Sequence, residues 1–183
     1  KAQRYHGVWV AEALQSIVAC RHPTVALIEG VCIGGGLEIA SCCDLRVAGE
    51  GAKFGAPIMK LGFTMAHSEL VGLVALAGQA VALEILLEGR VLSAREAYEK
   101  GLVTRVVADE KVAEEAYATA SRIAAGAPIA ARAHKQLVRR LMAEVRALSD
   151  AEVRDNFAFI DSEDYQEGLA AFLAKRKPAF KGR

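Results

Sequence analysis

Apolar side chains at Val10, Leu14, Ile17 and Val18 recur at the spacing of one helical face, and His22-Pro23 stops the run because proline biases its predecessor away from helical backbone. The pattern predicts a helix up to about Cys20. Thr24-Val25-Ala26-Leu27-Ile28 is short, β-rich and continuously apolar, which suits a strand buried on both faces, and Glu29-Gly30 turns it. Val31-Cys32-Ile33 predicts a second strand, Gly34-Gly35-Gly36 follow, and Leu37-Glu38-Ile39-Ala40-Ser41 is a strong helical start. Leu45-Arg46-Val47-Ala48 predicts another strand, and Lys53-Phe54-Gly55-Ala56-Pro57 a strand end running into a loop.

Beyond that loop the short alternating elements give way to helices punctuated by Gly78, Gly89, Gly101 and Gly126. Ser93-Ala94-Arg95-Glu96 fits a capping box for a short helix closed by Gly101, after which Leu102 to Val107 resembles a strand. From Asp109 onward the pattern is almost wholly helical. Ser149-Asp150-Ala151-Glu152 offers a second capping box, so the segment after Pro128 reads as two long helices and a shorter one ending near Lys175. The chain therefore divides into an α/β part, 1–108, and a helical part, 109–183. A helix feeding a buried strand, with no earlier strand to pair with it, suggests that residues preceding the α/β part are missing from this chain.

Composition narrows the picture. A chain of 183 residues, 53% of them hydrophobic, can bury the core of one domain with a helical appendage. Its 23 lysines and arginines nearly cancel 22 aspartates and glutamates, so the basic field that nucleic-acid binding demands is lacking. A stripe of Arg132, Lys135, Arg139, Arg140 and Arg146 reads as a solvated helical face. No apolar stretch approaches the ~20 residues that cross a bilayer, and Lys1 to His6 is no signal peptide, so the expectation is a cytosolic chain with neither membrane nor nucleic acid as partner. Cys20, Cys32, Cys42 and Cys43 lack C-x-x-C spacing and read as reduced core residues, with a thiol nucleophile as the minor alternative. His22 and His134 have no partners at metal-ligand spacing, and no metal is expected.

Three successive glycines cost roughly 1 kcal/mol each against alanine, so the backbone there must bend unusually or be approached closely. At a helix N-terminus the backbone N–H groups are unpaired and the dipole favours negative charge, which suits an amide to a developing oxyanion. Glu38 lies about one helical turn beyond Gly35, within reach of whatever binds there. Two readings are open on these local features: a catalytic turn, or tight helix–strand packing with a glutamate that merely favours the dipole. A nucleotide-phosphate loop is weaker, since neither G-x-x-x-x-G-K-[ST] nor G-x-G-x-x-G occurs.

The run from His22 to Ala40, with Cys43-Asp44-Leu45-Arg46 and Phe54-Gly55-Ala56-Pro57 behind it, resembles the enoyl-CoA hydratase/isomerase (crotonase) superfamily. The similarity continues through Leu86 to Arg90, Ser93 to Ala97, Gly101-Leu102-Val103 and Glu167 to Pro178, nearly the whole chain. The resemblance implies a spiral of β-β-α units followed by a helical trimerisation region, assembled as a trimer or a dimer of trimers. It implies an acyl-CoA thioester as substrate, coenzyme A entering as part of it and no permanently bound cofactor. The amide matching Gly35 would be half of an oxyanion hole, the other half lying in a more N-terminal segment. Ile33, Gly34, Pro57 and Ile58 would line the substrate site, and the positions matching Phe172 and Lys175 would help to hold the coenzyme A adenine and phosphate. The alternative for the basic tail from Lys175 to Arg183 is a solvated surface.

Hydration of an enoyl thioester needs water activated at the β-carbon and a proton delivered to the α-carbon, work that family hydratases divide between two glutamates. Glu38 matches one; the second would directly follow Pro57, where this chain has Ile58. Another branch's acid would fall at Ala66, which cannot serve. His67 and Glu69 stand close to that position and are either substitute acid/bases or a polar first helical turn facing solvent. A single carboxylate suffices to shift a double bond through an enolate, so hydration, isomerisation, decarboxylation and thioester hydrolysis all remain, beside a non-catalytic protein that keeps the fold and the coenzyme A site. Apolar neighbours such as Ile58 would raise the pKa of Glu38.

Overall fold

The computed structural model describes residues 5–62, 64–143, 149–151, 154 and 158–183. Phe63, Arg146 and Glu152 lie outside them, and with Glu152 the second capping box. The chain forms two compact units, one of residues 1–20 and 24–119, the other of 21–23 and 120–183.

In the first unit a π-helical turn, Tyr5–Val10, leads into α1, Ala11–Ala19. Strands β1 (Val25–Ile28) and β2 (Val31–Ile33) precede α2 (Gly35–Cys42), and β3 (Leu45–Gly49) and β4 (Lys53–Gly55) precede a 3-10 turn, Pro57–Leu61. Then come α3 (His67–Glu88), β5 (Val91–Ser93), α4 (Ala94–Glu99), β6 (Arg105–Val107) and α5 (Val112–Ala124), whose last residues belong to the second unit. Each β-β repeat sends its first strand to one sheet and its second to another. One sheet runs β1-β3-β6, all parallel; the other runs β2-β4-β5, with β2 and β4 parallel and β5 antiparallel. This alternation agrees with the spiral of β-β-α units that the resemblance implies.

Phe54, Leu73, Ile85, Leu92 and Leu102 are fully buried where the second sheet meets α3 and α4. Removing each from water contributes about 1.5–3 kcal/mol. Thr24 and Asp44 clamp the starts of β1 and β3: the Thr24 N–H and hydroxyl donate to Asp44 Oδ2 at 2.7 and 3.0 Å, and the Asp44 N–H donates to Thr24 Oγ1 at 3.0 Å. The Ser93 capping box forms as the spacing predicts, with the Glu96 carboxylate accepting from the Ser93 N–H at 2.8 Å and the Glu96 N–H donating back to Ser93 Oγ at 3.3 Å.

In the second unit α6 spans Pro128–Ala143 and α7 spans Glu163–Leu173. Asp164, 2% exposed, ties down the chain end by accepting from the Lys181 and Gly182 N–H groups at 2.6 and 2.9 Å. Glu167 holds Arg176 through both oxygens, at 2.6 and 2.8 Å, and accepts from the Ala179 N–H. Arg176's hydrogen bonds, more than any other cause, hold the Glu167 carboxyl down at about 2.

Four expectations change. β1 is not buried on both faces, since Leu27 is 40% exposed. The strand expected from Leu102 narrows to Arg105–Val107 because Leu102 and Val103 are buried in the turn leading to it. Cys32 and Cys42 are buried, but Cys20 and Cys43 are only half-buried; all four are free thiols, and burial pushes Cys32 up to about 11, which leaves it un-ionised near neutral pH. By length and apolarity α3 is capable of crossing a membrane, contrary to the reading that no stretch is long enough. Gly78, at φ 75° and ψ 169°, breaks its helical backbone midway, which is why the run looked like two helices.

Gly55 is the tightest point of the second sheet, because a Cβ there would stand 2.6 Å from the Arg90 carbonyl oxygen across the β4–β5 pair. Gly55→Ala is expected to destabilise the protein by about 3 kcal/mol, read from denaturant midpoints, since backbone must move to admit the methyl group.

Candidate active site

The site is built where β2 becomes α2. Gly34 adopts φ 56°, ψ −120°, a conformation closed to other residues, and its N–H donates to the Gly55 carbonyl at 2.9 Å. The chain thereby leaves the sheet and starts a helix within one residue. The first intrahelical bond is from the Glu38 N–H to the Gly34 carbonyl, so the N–H groups of Gly35 and Gly36 precede the helical ladder. Gly35 is exposed, and among the described residues no atom beyond its chain neighbours and its own helix backbone lies within 4 Å of where its Cβ would be. Tight packing therefore does not explain a glycine at Gly35 among the described residues. The N-terminus of α2 is thus open at Gly35 among the described residues.

The other end of α2 is held by Arg46. Its buried guanidinium donates from Nη1 to the Cys43 and Ala40 carbonyls at 2.6 and 3.3 Å and from Nη2 to the Asp44 carbonyl at 3.3 Å. A cation on the last carbonyls complements the helix dipole and fixes the helix along its axis.

Ile33, paired with Gly55 in the strand register, and Gly34 form the approach to this turn. Pro57 and Ile58 follow β4 in the 3-10 turn, where half-buried Ile58 packs on the core. His67 begins α3 and is exposed, as expected of a polar first turn. Glu69 departs from that reading: it is 4% exposed, accepting from His6 Nδ1 at 2.7 Å and from the Ala66 N–H at 2.8 Å. Glu38 is half-buried, and its carboxyl is raised above the ordinary range first by burial, next by the negative charge of Glu69, with His6 pulling the other way. Glu38, Glu69 and His6 thus share one electrostatic neighbourhood. His6 carried no signal in sequence; it lies 63 residues from Glu69, and only the packing of its turn against α3 brings the two together.

Phe172 and Lys175 lie in the second unit at the end of α7. Phe172 is 80% exposed, and Lys175 is exposed with φ 51°. The Lys175 N–H donates to the Phe172 carbonyl at 3.2 Å and the Arg176 N–H to Ala171 at 3.0 Å, a Schellman end in which glycine usually occupies the place of Lys175.

A profile of the family described as enoyl-CoA hydratase/isomerase matches residues 2–183. The chain belongs to this family. It is 38% identical over 170 residues to a probable enoyl-CoA hydratase of Rhizobium meliloti (strain 1021), covering 92% of this chain and 66% of that protein. It is 36% identical over 166 residues to the 2,3-dehydroadipyl-CoA hydratase of Escherichia coli (strain K12), covering 90% and 65%. The chain thus spans just under two thirds of the length of these curated relatives. Among solved structures, an enoyl-CoA hydratase/carnithine racemase from Magnetospirillum magneticum superposes with TM-score 0.90 at 50% identity, covering 94% of this chain and 64% of that one. An enoyl-CoA hydratase/isomerase family protein from Hyphomonas neptunium gives 0.93 at 37% identity, covering 100% and 70%.

The raised Glu38 carboxyl sets a sign for stability. Its contribution is fully present below the unfolded carboxylate range and is lost as pH rises through the higher folded value, because the fold disfavours the charged form. Glu38→Gln is therefore expected to gain melting temperature over the parent at pH 7–8 and to lose that advantage near pH 4, read by thermal unfolding across pH.

Proposed function

We propose that this chain is the acid/base-bearing part of an acyl-CoA-processing enzyme of enoyl-CoA hydratase/isomerase type. The observation that carries the reading is the open N-terminus of α2 at Gly35, free of any packing need for glycine, with the raised carboxyl of Glu38 one turn away. The thioester carbonyl oxygen would accept from the Gly35 N–H, which acquires its full value as the enolate forms, about 3 kcal/mol per donor. Glu38 would move the proton: its raised pKa brings it nearer the working pH, where a carboxylate both accepts and returns protons. Ile33, Gly34, Pro57 and Ile58 would border the acyl group, with Ile58 standing where a second carboxylate would make a two-glutamate hydratase.

Coenzyme A would be held by Phe172, whose exposed ring suits stacking on adenine, and by Lys175, whose ammonium suits a phosphate. A homo-oligomer, trimer or dimer of trimers, fits the apolar side chains that α6 and α7 leave exposed, among them Val138, Leu141, Leu169 and Leu173. A second reading, a protein that binds coenzyme A thioesters without turnover, is favoured by the apolar side chain of Ile58; enolate chemistry ending in decarboxylation or hydrolysis also uses one carboxylate.

The test is incubation of the full-length protein with 2-enoyl- and 3-enoyl-CoA thioesters in deuterated water, followed by mass spectrometry. Deuterium incorporation, water addition or double-bond migration is expected, falling about 100-fold in Gly35→Ala with little loss of stability and at least as far in Glu38→Gln. Binding without exchange or turnover supports the second reading. Lys175→Gly is expected to stabilise the protein by about 1 kcal/mol by relieving its left-handed backbone, while raising KM for the thioester; an unchanged KM removes Lys175 from the coenzyme A site.

A further inference from the structure

Glu69 is a buried carboxylate on an apolar helix, and nothing in the packing of α3 requires one. A capping role would use one oxygen, and Oε2 fills it by accepting the Ala66 N–H at 2.8 Å. The other oxygen, Oε1, reaches out of the helix to His6 Nδ1 at 2.7 Å. Both oxygens are thus occupied and Glu69 is 4% exposed, so it has no face left to offer a substrate. His6 is the opposite. Its side chain is 42% exposed, Tyr5 packs edge-on against its ring at 5.0 Å between centroids, and Nε2 has no partner among the described residues.

A carboxylate that accepts a hydrogen bond from Nδ1–H fixes the ring's orientation and leaves Nε2 as the nitrogen that exchanges protons, the arrangement by which a buried acid positions a histidine as a proton shuttle. Of the ionisable groups around His6, Glu69 on α3 and Tyr5 beside it touch the ring, and Glu38 on α2 is carried by a helix packed on the same α3. The turn that carries His6 and the helix α2 that carries Glu38 both pack on α3, the helix that carries Glu69. His67 is exposed at the start of α3 and has no comparable support.

We propose that His6, positioned by Glu69, is the second proton-transfer group of this site and does what Ile58 cannot. The inference rests on the enolate chemistry proposed above for Gly35 and Glu38. In the addition of water to a 2-enoyl thioester, a C–O bond forms between water and the β-carbon while Glu38 takes the proton that water releases. The π pair of the α,β double bond moves to give the enolate on the oxygen held by Gly35. His6 Nε2–H then delivers a proton to the α-carbon, the enolate collapses to the thioester, and the net change is one water added. Glu38 leaves the cycle protonated and His6 neutral, and exchange with solvent resets both. Glu69 touches no reacting atom and acts by holding His6.

The test compares the full-length parent with His6→Gln, Glu69→Gln, His6→Ala and Glu38→Gln on 2-enoyl-CoA thioesters, with folding of each checked by circular dichroism and thermal melting. Glu69→Gln keeps an oxygen for the Ala66 N–H and so isolates the loss of charge. Water addition is expected to fall about 100-fold in His6→Gln and at least 10-fold in Glu69→Gln, in kcat rather than KM. The alkaline limb of the pH–rate profile should vanish in His6→Gln while the acid limb set by Glu38 stays, and added imidazole should restore part of the rate of His6→Ala. If the parent turns over, Glu38→Gln is inactive, and the His6 and Glu69 variants keep the parent rate and profile, the pair only ties its turn to α3 and the inference is overturned. If the parent itself neither adds water nor exchanges deuterium, the enolate reading fails and takes this inference with it.

Discussion

A single backbone hydrogen bond, from the Gly34 N–H to the Gly55 carbonyl at 2.9 Å, governs the geometry from which the site follows. It lets β2 end against β4 while the chain reverses into α2, and it is reached only because Gly34 takes φ 56°. The acceptor is constrained in turn, since Gly55 lies against the Arg90 carbonyl and has no room for a side chain. Gly34, just past the end of β2, and Gly55, on the neighbouring β4, therefore cooperate to aim the N-terminus of a helix outward. Arg46 on the last carbonyls then holds α2 lengthwise. Backbone donors and a carboxylate are thereby presented on a helix rather than on a loop.

Around that helix the structure concentrates charge that folding by itself would avoid. Glu38 is held above its ordinary carboxylate range by burial and by Glu69, so the ionised form is strained in the native state. Glu69 is buried yet satisfied at both oxygens. The contrast between the two acids has a physical basis: one is paired and fixed, the other is left near an open helix end with a proton it releases less readily. Such a local cost is tolerated where the surroundings over-determine it.

The second unit follows a related logic. Asp164 and Glu167 collect the N–H groups of the chain's last residues, and Glu167 grips Arg176 through two parallel hydrogen bonds. These bonds draw the tail back along α7 and leave Lys175 at the helix end in left-handed backbone. A lysine there costs more than the glycine that helix ends prefer, so the exposed ammonium is displayed at the expense of local stability.

Local pattern alone determined the strand–glycine–helix passage from Val31 to Ser41, the Ser93 capping box and the helix ends at Gly89 and Gly101, because each rests on contacts between residues a few positions apart; the family resemblance came instead from matched segments along nearly the whole chain. The candidate roles of Gly35 and Glu38 were legible for the same reason: they share one turn of one helix. Whether the glycines served packing was undecidable there, since it depends on what stands over Gly35, and the folded chain leaves that space open. Glu69 looked like a solvent-facing residue because nothing within a helical turn marks it as buried, and His6 carried no mark at all. The apolar length of α3 was hidden by the small residues within it, of which Gly78 alone departs from helical backbone. Tertiary structure decided these because burial and a hydrogen bond across 63 residues are properties of packed surfaces, whereas sequence periodicity records only which face of an element is apolar.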